Sequence, residues 1–103
     1  MAKARDILDA TKWTEIRDFR RYSINRDGEV ANNITGHLLK VSFAPRLGYT
    51  VKLVDDVANL QRVVKLADLL ARTFVPSVLG ATQVVFIDGD KKNLDLNNLE
   101  YRL

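Results

Sequence analysis

The chain has 103 residues, 47% of them hydrophobic, and a formal net charge of +3. This length suits one compact domain over residues 1–103, and the absence of cysteine excludes a disulfide framework and a thiolate zinc site. The sequence has neither the apolar run of a secretory signal nor a stretch long enough to cross a bilayer. We therefore expect a cytoplasmic protein that does not enter membranes.

The first half of the chain is patterned as short strands joined by turns. Residues 4–10 have a weak helical pattern. Residues 21–33 are predicted to form a hairpin, because Gly28 tolerates the positive φ angle of a tight turn. Apolar residues then alternate with polar ones, which predicts half-buried strands at His37–Phe43 and Tyr49–Val54.

The second half changes from strand to helix periodicity. A strand is predicted at Leu60–Val64, and the large apolar residues of 66–74 lie on one side of a helix. This helix should end near Val75-Pro76, because the residue before a proline avoids helical angles. An apolar strand at Val84–Ile87 precedes a turn and a polar loop up to Leu99. These elements predict an α+β fold, with an antiparallel sheet of about four or five strands and one main packed helix.

Basic residues are concentrated in one part of the sequence. Val30–Val54 contains Lys40, Arg46 and Lys52 and no acidic residue, and a group of arginines lies just upstream around Asp18. A surface of one sign suits a polyanion such as nucleic acid. The same pattern is typical of a solvated strand face whose long basic side chains protect a sheet edge, so charge alone does not choose between the two.

Short motifs occur in an order that resembles a known family. The motifs are Trp13-Thr-Glu-Ile16, Tyr22-Ser-Ile-Asn25, Gly28-Glu-Val30, Phe86-Ile-Asp-Gly-Asp-Lys-Lys-Asn93 and Asn98-Leu-Glu-Tyr101. Together they resemble the HNH homing endonucleases of phages and introns, with a NUMOD-type amino-terminal module. The resemblance implies a β-rich DNA-binding module over residues 13–64 and a degenerate HNH-like segment over residues 65–103, which ends as a truncated ββα unit.

The resemblance is incomplete at the positions that carry catalysis in the family. Where the family has a histidine that activates the attacking water, this chain has Phe86, which cannot accept a proton. The preceding position, usually a metal ligand, is Val85, and the chain ends at Leu103 before the helix that would supply a further ligand. These departures imply a catalytically inactive protein, not an enzyme, with no catalytic residue, no bound metal and no cofactor.

Other groups could take over catalysis or metal binding. His37 is the single histidine, but it aligns with a turn in the binding half, where a surface or phosphate-contacting role is expected. Asp88 and Asp90 could bind calcium or magnesium. Their loop, however, lacks the length and terminal glutamate of an EF-hand, and acidic turn residues usually cap their own backbone. We interpret Asn93 and Asn98 as residues that brace this loop.

Double-stranded DNA is the partner that the resemblance implies. A two-stranded ribbon fits the major groove, and basic side chains neutralise phosphates. Lys40 and Lys52 are predicted to share one kind of face on consecutive strands. The residues expected to bind DNA are Arg20, Arg21, Arg26, Lys40, Arg46, Lys52, Arg62, Lys91 and Lys92. The predicted function is DNA binding without cleavage, by a phage or prophage protein derived from a homing endonuclease.

Two alternative functions remain open. A small phage protein could reuse the scaffold to bind and modulate a host protein, which predicts weak, salt-sensitive DNA binding and tight capture of that protein. Alternatively, a nuclease could be completed by dimerisation or by a partner that supplies the missing helix, which predicts metal-dependent cleavage. The sequence does not determine the oligomeric state.

Overall fold

Eight short strands and one α-helix form the part of the chain that the computed structural model describes, residues 11–103. The helix predicted for residues 4–10 lies outside the described residues. The first sheet consists of β1 (Thr14–Ile16), β2 (Phe19–Ile24) and β3 (Val30–Asn32), and the second of β4 (Ser42–Ala44), β5 (Gly48–Val54) and β6 (Gln61–Lys65). Helix α1 (Leu66–Phe74) follows β6 directly, and β7 (Gln83–Phe86) pairs with β8 (Leu99–Arg102) in the third sheet.

The paired strands run antiparallel, so the predicted α+β class with one main packed helix is confirmed. The strands are divided among three small sheets instead of forming one larger sheet. Among the described residues, no strand of the first sheet is a neighbour of a strand of the second sheet. Hydrogen bonds to side chains connect the two sheets instead. The Val54 N–H donates to the Tyr22 hydroxyl at 3.3 Å, and the Arg20 N–H donates to the Asp56 carboxylate at 3.0 Å.

The core lies between the helix and the strands that surround it. Leu66, Leu69 and Leu70 form the buried side of α1 and pack with Ile24 and Leu53, as expected for an amphipathic helix. The helix ends where the sequence predicts, because the residue before Pro76 is extended with φ −99°. No helix within residues 11–103 is long and apolar enough to cross a bilayer.

Gly28 gives the first hairpin its predicted turn. Its φ of +85° lies in the left-handed region that favours glycine. A Cβ at this position would stand 3.5 Å from side-chain atoms of both Leu66 and Leu70. The turn therefore also brings the backbone of the first hairpin close to the start of α1, which fixes the hairpin on the core.

The strand predicted at His37–Phe43 is wrong in its extent. β4 begins only at Ser42, and Leu38 forms an isolated bridge with Ala31 of the first sheet. Leu39 and Val41 of this segment do pack against the core, but Phe43 is exposed, and the backbone crosses from one sheet to another and cannot pair continuously with either. Lys40 lies in this crossing, so it does not share a strand face with Lys52 as predicted.

The polar loop predicted up to Leu99 is observed, and it ends one residue earlier, at Asn98. A 3-10 turn covers Leu96–Asn98, and the chain then enters β8, in which Leu99 pairs with Phe86. Only four residues form β8, and only its first residue is fully buried. Such a short strand at the end of the chain has too little alternation to be recognised from its own sequence.

Candidate nucleic-acid interface

The solvent face of the second sheet carries two lysines close together. Lys52 pairs with Val63, and Thr50 pairs with Lys65. Cross-strand partners lie on the same face of an antiparallel sheet, so Lys52 and Lys65 are diagonal neighbours on the face opposite the core, and both are exposed. The sequence prediction omits Lys65 because it ends the strand at Val64. The strand alternation, extended by one residue, would have included it.

The tip of the β4–β5 hairpin and the loop between β7 and β8 meet through two lysines. The Lys91 ammonium donates to the backbone oxygens of Arg46 at 2.7 Å and Pro45 at 3.4 Å. The Lys92 ammonium lies 5.3 Å from the centroid of the Phe43 ring, within the range of a cation–π contact. The structure thus brings together three predicted DNA-binding residues, and we name Arg46, Lys91 and Lys92 the hairpin–loop surface.

The three arginines predicted from the first hairpin are exposed but have different neighbours. The Arg20 backbone N–H and the Arg21 guanidinium both bond to residues of the β5–β6 connection. The guanidinium carbon of Arg26 lies 4.9 Å from the centroid of the Phe74 ring at the end of α1. The hairpin turn therefore holds Arg26 at the helix end, apart from the neighbours of Arg20 and Arg21.

Arg62 is paired within the protein. Its guanidinium donates to the carboxylate of Asp55, whose side chain is only 10% exposed. This hydrogen bond and one from the Ala58 N–H hold the pKa of Asp55 below its ordinary value. The charge of Arg62 is balanced locally, so Arg62 adds less positive potential to the surface than Lys52 does.

The β7–β8 loop is braced by its own side chains, as the sequence predicts for Asn93 and Asn98. Asp88 accepts hydrogen bonds from the Asn93 amide at 2.9 Å, the Asp90 N–H at 2.8 Å and the Asn98 amide at 2.9 Å. These bonds lower the pKa of Asp88, and the bond from Asn93 has the largest effect, followed by those from Asp90 and Asn98. Among residues 11–103 no group of three His, Cys, Asp or Glu side chains is close enough together to hold a metal ion.

The residues that depart from the HNH motif belong to the third sheet. Phe86 pairs with Leu99 and packs against the core, and Val85 pairs with Glu100. The apolar side chain of Phe86 thus has a packing role in β7. His37 is exposed in the turn after β3, where its backbone N–H donates to the Thr35 hydroxyl at 3.2 Å.

Two known proteins to which this chain is similar are named as endonucleases. No family model matches the chain. Over 91 residues it is 33% identical to an uncharacterized HNH endonuclease of Acanthamoeba polyphaga mimivirus, a match that covers 88% of this chain but only 27% of the relative. Its fold is similar to that of the HNH homing endonuclease I-HmuI, whose structure describes DNA binding and cleavage. The TM-score is 0.73 at 22% sequence identity, and the match covers 88% of this chain and 52% of that chain. Together these matches support a relationship to the HNH endonuclease family.

The prediction that the chain is not an enzyme is contradicted by these matches, because both proteins are named as endonucleases. That prediction rests on Phe86 at one motif position, on Val85 and on the last residues of the sequence. General acid–base catalysis contributes about 10²–10⁴-fold to enzymes whose total acceleration is typically far larger, so the loss of one base does not exclude cleavage. The NUMOD-type module, the phage origin and the cytoplasmic location are not tested by the matches and stay predictions.

Proposed function

We propose that this chain binds double-stranded DNA and acts as part of an HNH-type endonuclease. The observation that carries the proposal is the pair of exposed lysines, Lys52 and Lys65, on one face of the second sheet. The major groove admits β-strands, and lysine ammonium groups neutralise backbone phosphates. Arg46 and Lys92 of the hairpin–loop surface add positive charge at the turn that closes the first two strands of the same sheet.

The similar proteins support the same partner and the same class of reaction. The viral relative is named an endonuclease, and I-HmuI binds and cleaves DNA. The chain spans only part of each of these proteins, so the activity and the substrate are proposed from the basic surface and the likeness together. The charge pattern of residues 30–54, which has no acidic residue, agrees with a polyanionic partner.

Duplex binding by two variants of equal charge tests the proposal. Lys52→Glu/Lys65→Glu reverses the two lysines of the sheet face. Lys12→Glu/Arg17→Glu makes the same change in net charge at exposed positions on either side of β1. We expect the first variant to bind duplexes of any sequence more weakly, with a log–log salt slope smaller by about two. The control variant should keep most of the wild-type affinity.

Titration of a labelled duplex by fluorescence anisotropy, repeated at several salt concentrations, gives both the affinity and the slope. Circular dichroism of each variant establishes that it is folded. Equal affinity and equal slope for the wild type and the Lys52/Lys65 variant would rule out this face as the DNA-binding surface. Equal losses in both variants would mean that only the total charge matters, which also contradicts a defined site.

A further inference from the structure

Lys91 is placed where it can hold the tip of the β4–β5 hairpin. Its side chain is half-buried, and its ammonium donates to the backbone oxygens of Arg46 and Pro45. An ammonium has three donors, so these two acceptors use most of its hydrogen-bonding capacity. We propose that Lys91 is a positioning residue that fixes Arg46 against the β7–β8 loop, so that Arg46 and Lys92 contact DNA phosphates. The inference rests on the proposed DNA-binding function.

Apart from the pairing of β4 with β5, no strand of the described residues pairs with the tip of this hairpin. β5 begins at Gly48, but its pairing with β6 runs only from Thr50 to Val54. β4 has three residues and pairs with β5 alone. A two-stranded ribbon without further packing is marginally stable. The orientation of the tip, residues 44–49, therefore depends on groups that contact it from outside the second sheet.

The β7–β8 loop supplies those groups. Gly48 approaches the loop so closely that an added Cβ would stand 3.3 Å from the Cβ of Lys91. One residue further along, the Lys92 ammonium lies over the ring of Phe43, which itself packs edge-on against Tyr49 at a centroid distance of 5.0 Å. Two consecutive lysines of the loop therefore contact both strands of the hairpin and the turn between them.

The two lysines are expected to differ in what they do for DNA. The ammonium of Lys91 is directed at backbone carbonyl groups, and its removal takes away a charge-assisted bond from the tip. The ammonium of Lys92 rests on one side against an aromatic ring, which leaves its N–H groups able to bond to a phosphate. The sequence prediction treats both as phosphate contacts, and the structure assigns Lys91 the supporting role.

A pair of charge-matched variants separates the two roles. Lys91→Met keeps a long unbranched side chain and removes the ammonium, and Lys92→Met makes the same change one residue away. Amide hydrogen exchange of the free protein reports on the tip, and duplex binding over a salt series reports on phosphate contacts. We expect Lys91→Met to speed exchange at residues 44–49 about tenfold. It should also weaken duplex binding, because the tip must then be ordered when DNA binds, and leave the salt slope unchanged, because Arg46 and Lys92 still reach phosphates in the complex.

Lys92→Met should lower the salt slope by about one, and it should speed exchange at the tip much less than Lys91→Met does, because it removes no hydrogen bond to the tip backbone. Unchanged exchange at the tip in Lys91→Met would overturn the inference. A salt slope lowered by about one in Lys91→Met would also overturn it, since Lys91 would then itself contact a phosphate. Exchange in β2 shows whether each variant is folded. If even the wild type fails to bind duplex, the proposed function fails, while faster exchange at the tip still supports the role of Lys91 in holding the hairpin.

Discussion

Arg62 and Asp55 form an ion pair that closes the connection between β5 and β6. The Asp55 carboxylate accepts hydrogen bonds from the Arg62 guanidinium and from the Ala58 N–H. The same connection is closed on the backbone, where the Asp55 N–H donates to the Leu60 oxygen at 3.0 Å. These bonds set where β5 ends and β6 begins, and thereby hold in register the strand that ends with Lys65.

Acid is expected to weaken the fold through Asp55. Its pKa is lowered, first by the hydrogen bond from Arg62 and next by that from the Ala58 N–H. Such a carboxylate stabilises the fold above its unfolded-state pKa of about 3.9, and the contribution is lost as the pH falls through the lower folded-state value. We expect Asp55→Asn to be less stable than the wild type at about pH 7, with a difference that shrinks below about pH 4. Urea unfolding across this range measures it, and a difference that stays constant into acid would contradict the assignment.

Alanine at Gly48 is expected to destabilise the protein more than alanine at Gly89. Both glycines have positive φ angles, +77° and +75°, in the left-handed region. Strain there costs about 1–2 kcal/mol for an L-residue. A Cβ at Gly48 would meet Lys91 at 3.3 Å, whereas one at Gly89 would meet no described atom within 4 Å. Urea unfolding of Gly48→Ala and Gly89→Ala side by side isolates the contact with Lys91. Equal losses of unfolding free energy would argue against that contact.

The elements that the sequence predicts are those whose sequence signals lie within a few residues of the element itself. Helix α1 was predicted with its bounds, because the spacing of its leucines and the proline at position 76 both lie within a few residues of it. The turn at Gly28 was predictable for the same reason. The alternation of segment 37–43 does not predict its structure, because Leu39 and Val41 pack on the core while the backbone crosses between two sheets.

The candidate site was predictable only as a set of charges. Arg62 and Lys52 look alike in the sequence, yet Arg62 is neutralised by Asp55 seven residues away in the chain. Lys91 bonds to Arg46 across 45 residues, a contact that depends on the packing of two separate sheets. Composition and spacing therefore could not distinguish a cation that holds the fold together from one that faces solvent, as Lys65 does.

Alanine at Asn98 is expected to loosen the β7–β8 loop. The Asn98 side chain accepts a hydrogen bond from the Asp88 N–H at 3.0 Å and donates to the Asp88 carboxylate and to the Asn93 backbone oxygen. Its loss leaves part-buried groups without a partner, so we expect unfolding free energy to fall by about 1–3 kcal/mol. Asn97→Ala, at the exposed neighbouring position, should change it by less than about 0.5 kcal/mol. Similar values for both variants in urea unfolding would show that Asn98 does not brace the loop.

DNA cleavage is expected to depend on the same lysines as DNA binding. The proposed binding face contains Lys52 and Lys65, and an enzyme that binds less substrate at subsaturating concentration turns over less of it. We expect the wild type to convert supercoiled plasmid to nicked circles in a buffer that contains magnesium. Lys52→Glu/Lys65→Glu should do so more slowly. Gel electrophoresis of timed samples measures the rate, provided that the activity co-elutes with the protein.

The nicking experiment has its control in the variant Lys12→Glu/Arg17→Glu, which has the same net charge as the Lys52/Lys65 variant and should nick at about the wild-type rate. If all three proteins nick equally fast, cleavage does not require the proposed face of the second sheet. If the wild type shifts plasmid mobility but leaves it supercoiled, the chain binds DNA without cutting it, and the cleavage part of the proposed function is refuted. Binding and cutting are therefore tested separately, because phosphate contacts position a protein on DNA without performing the chemistry.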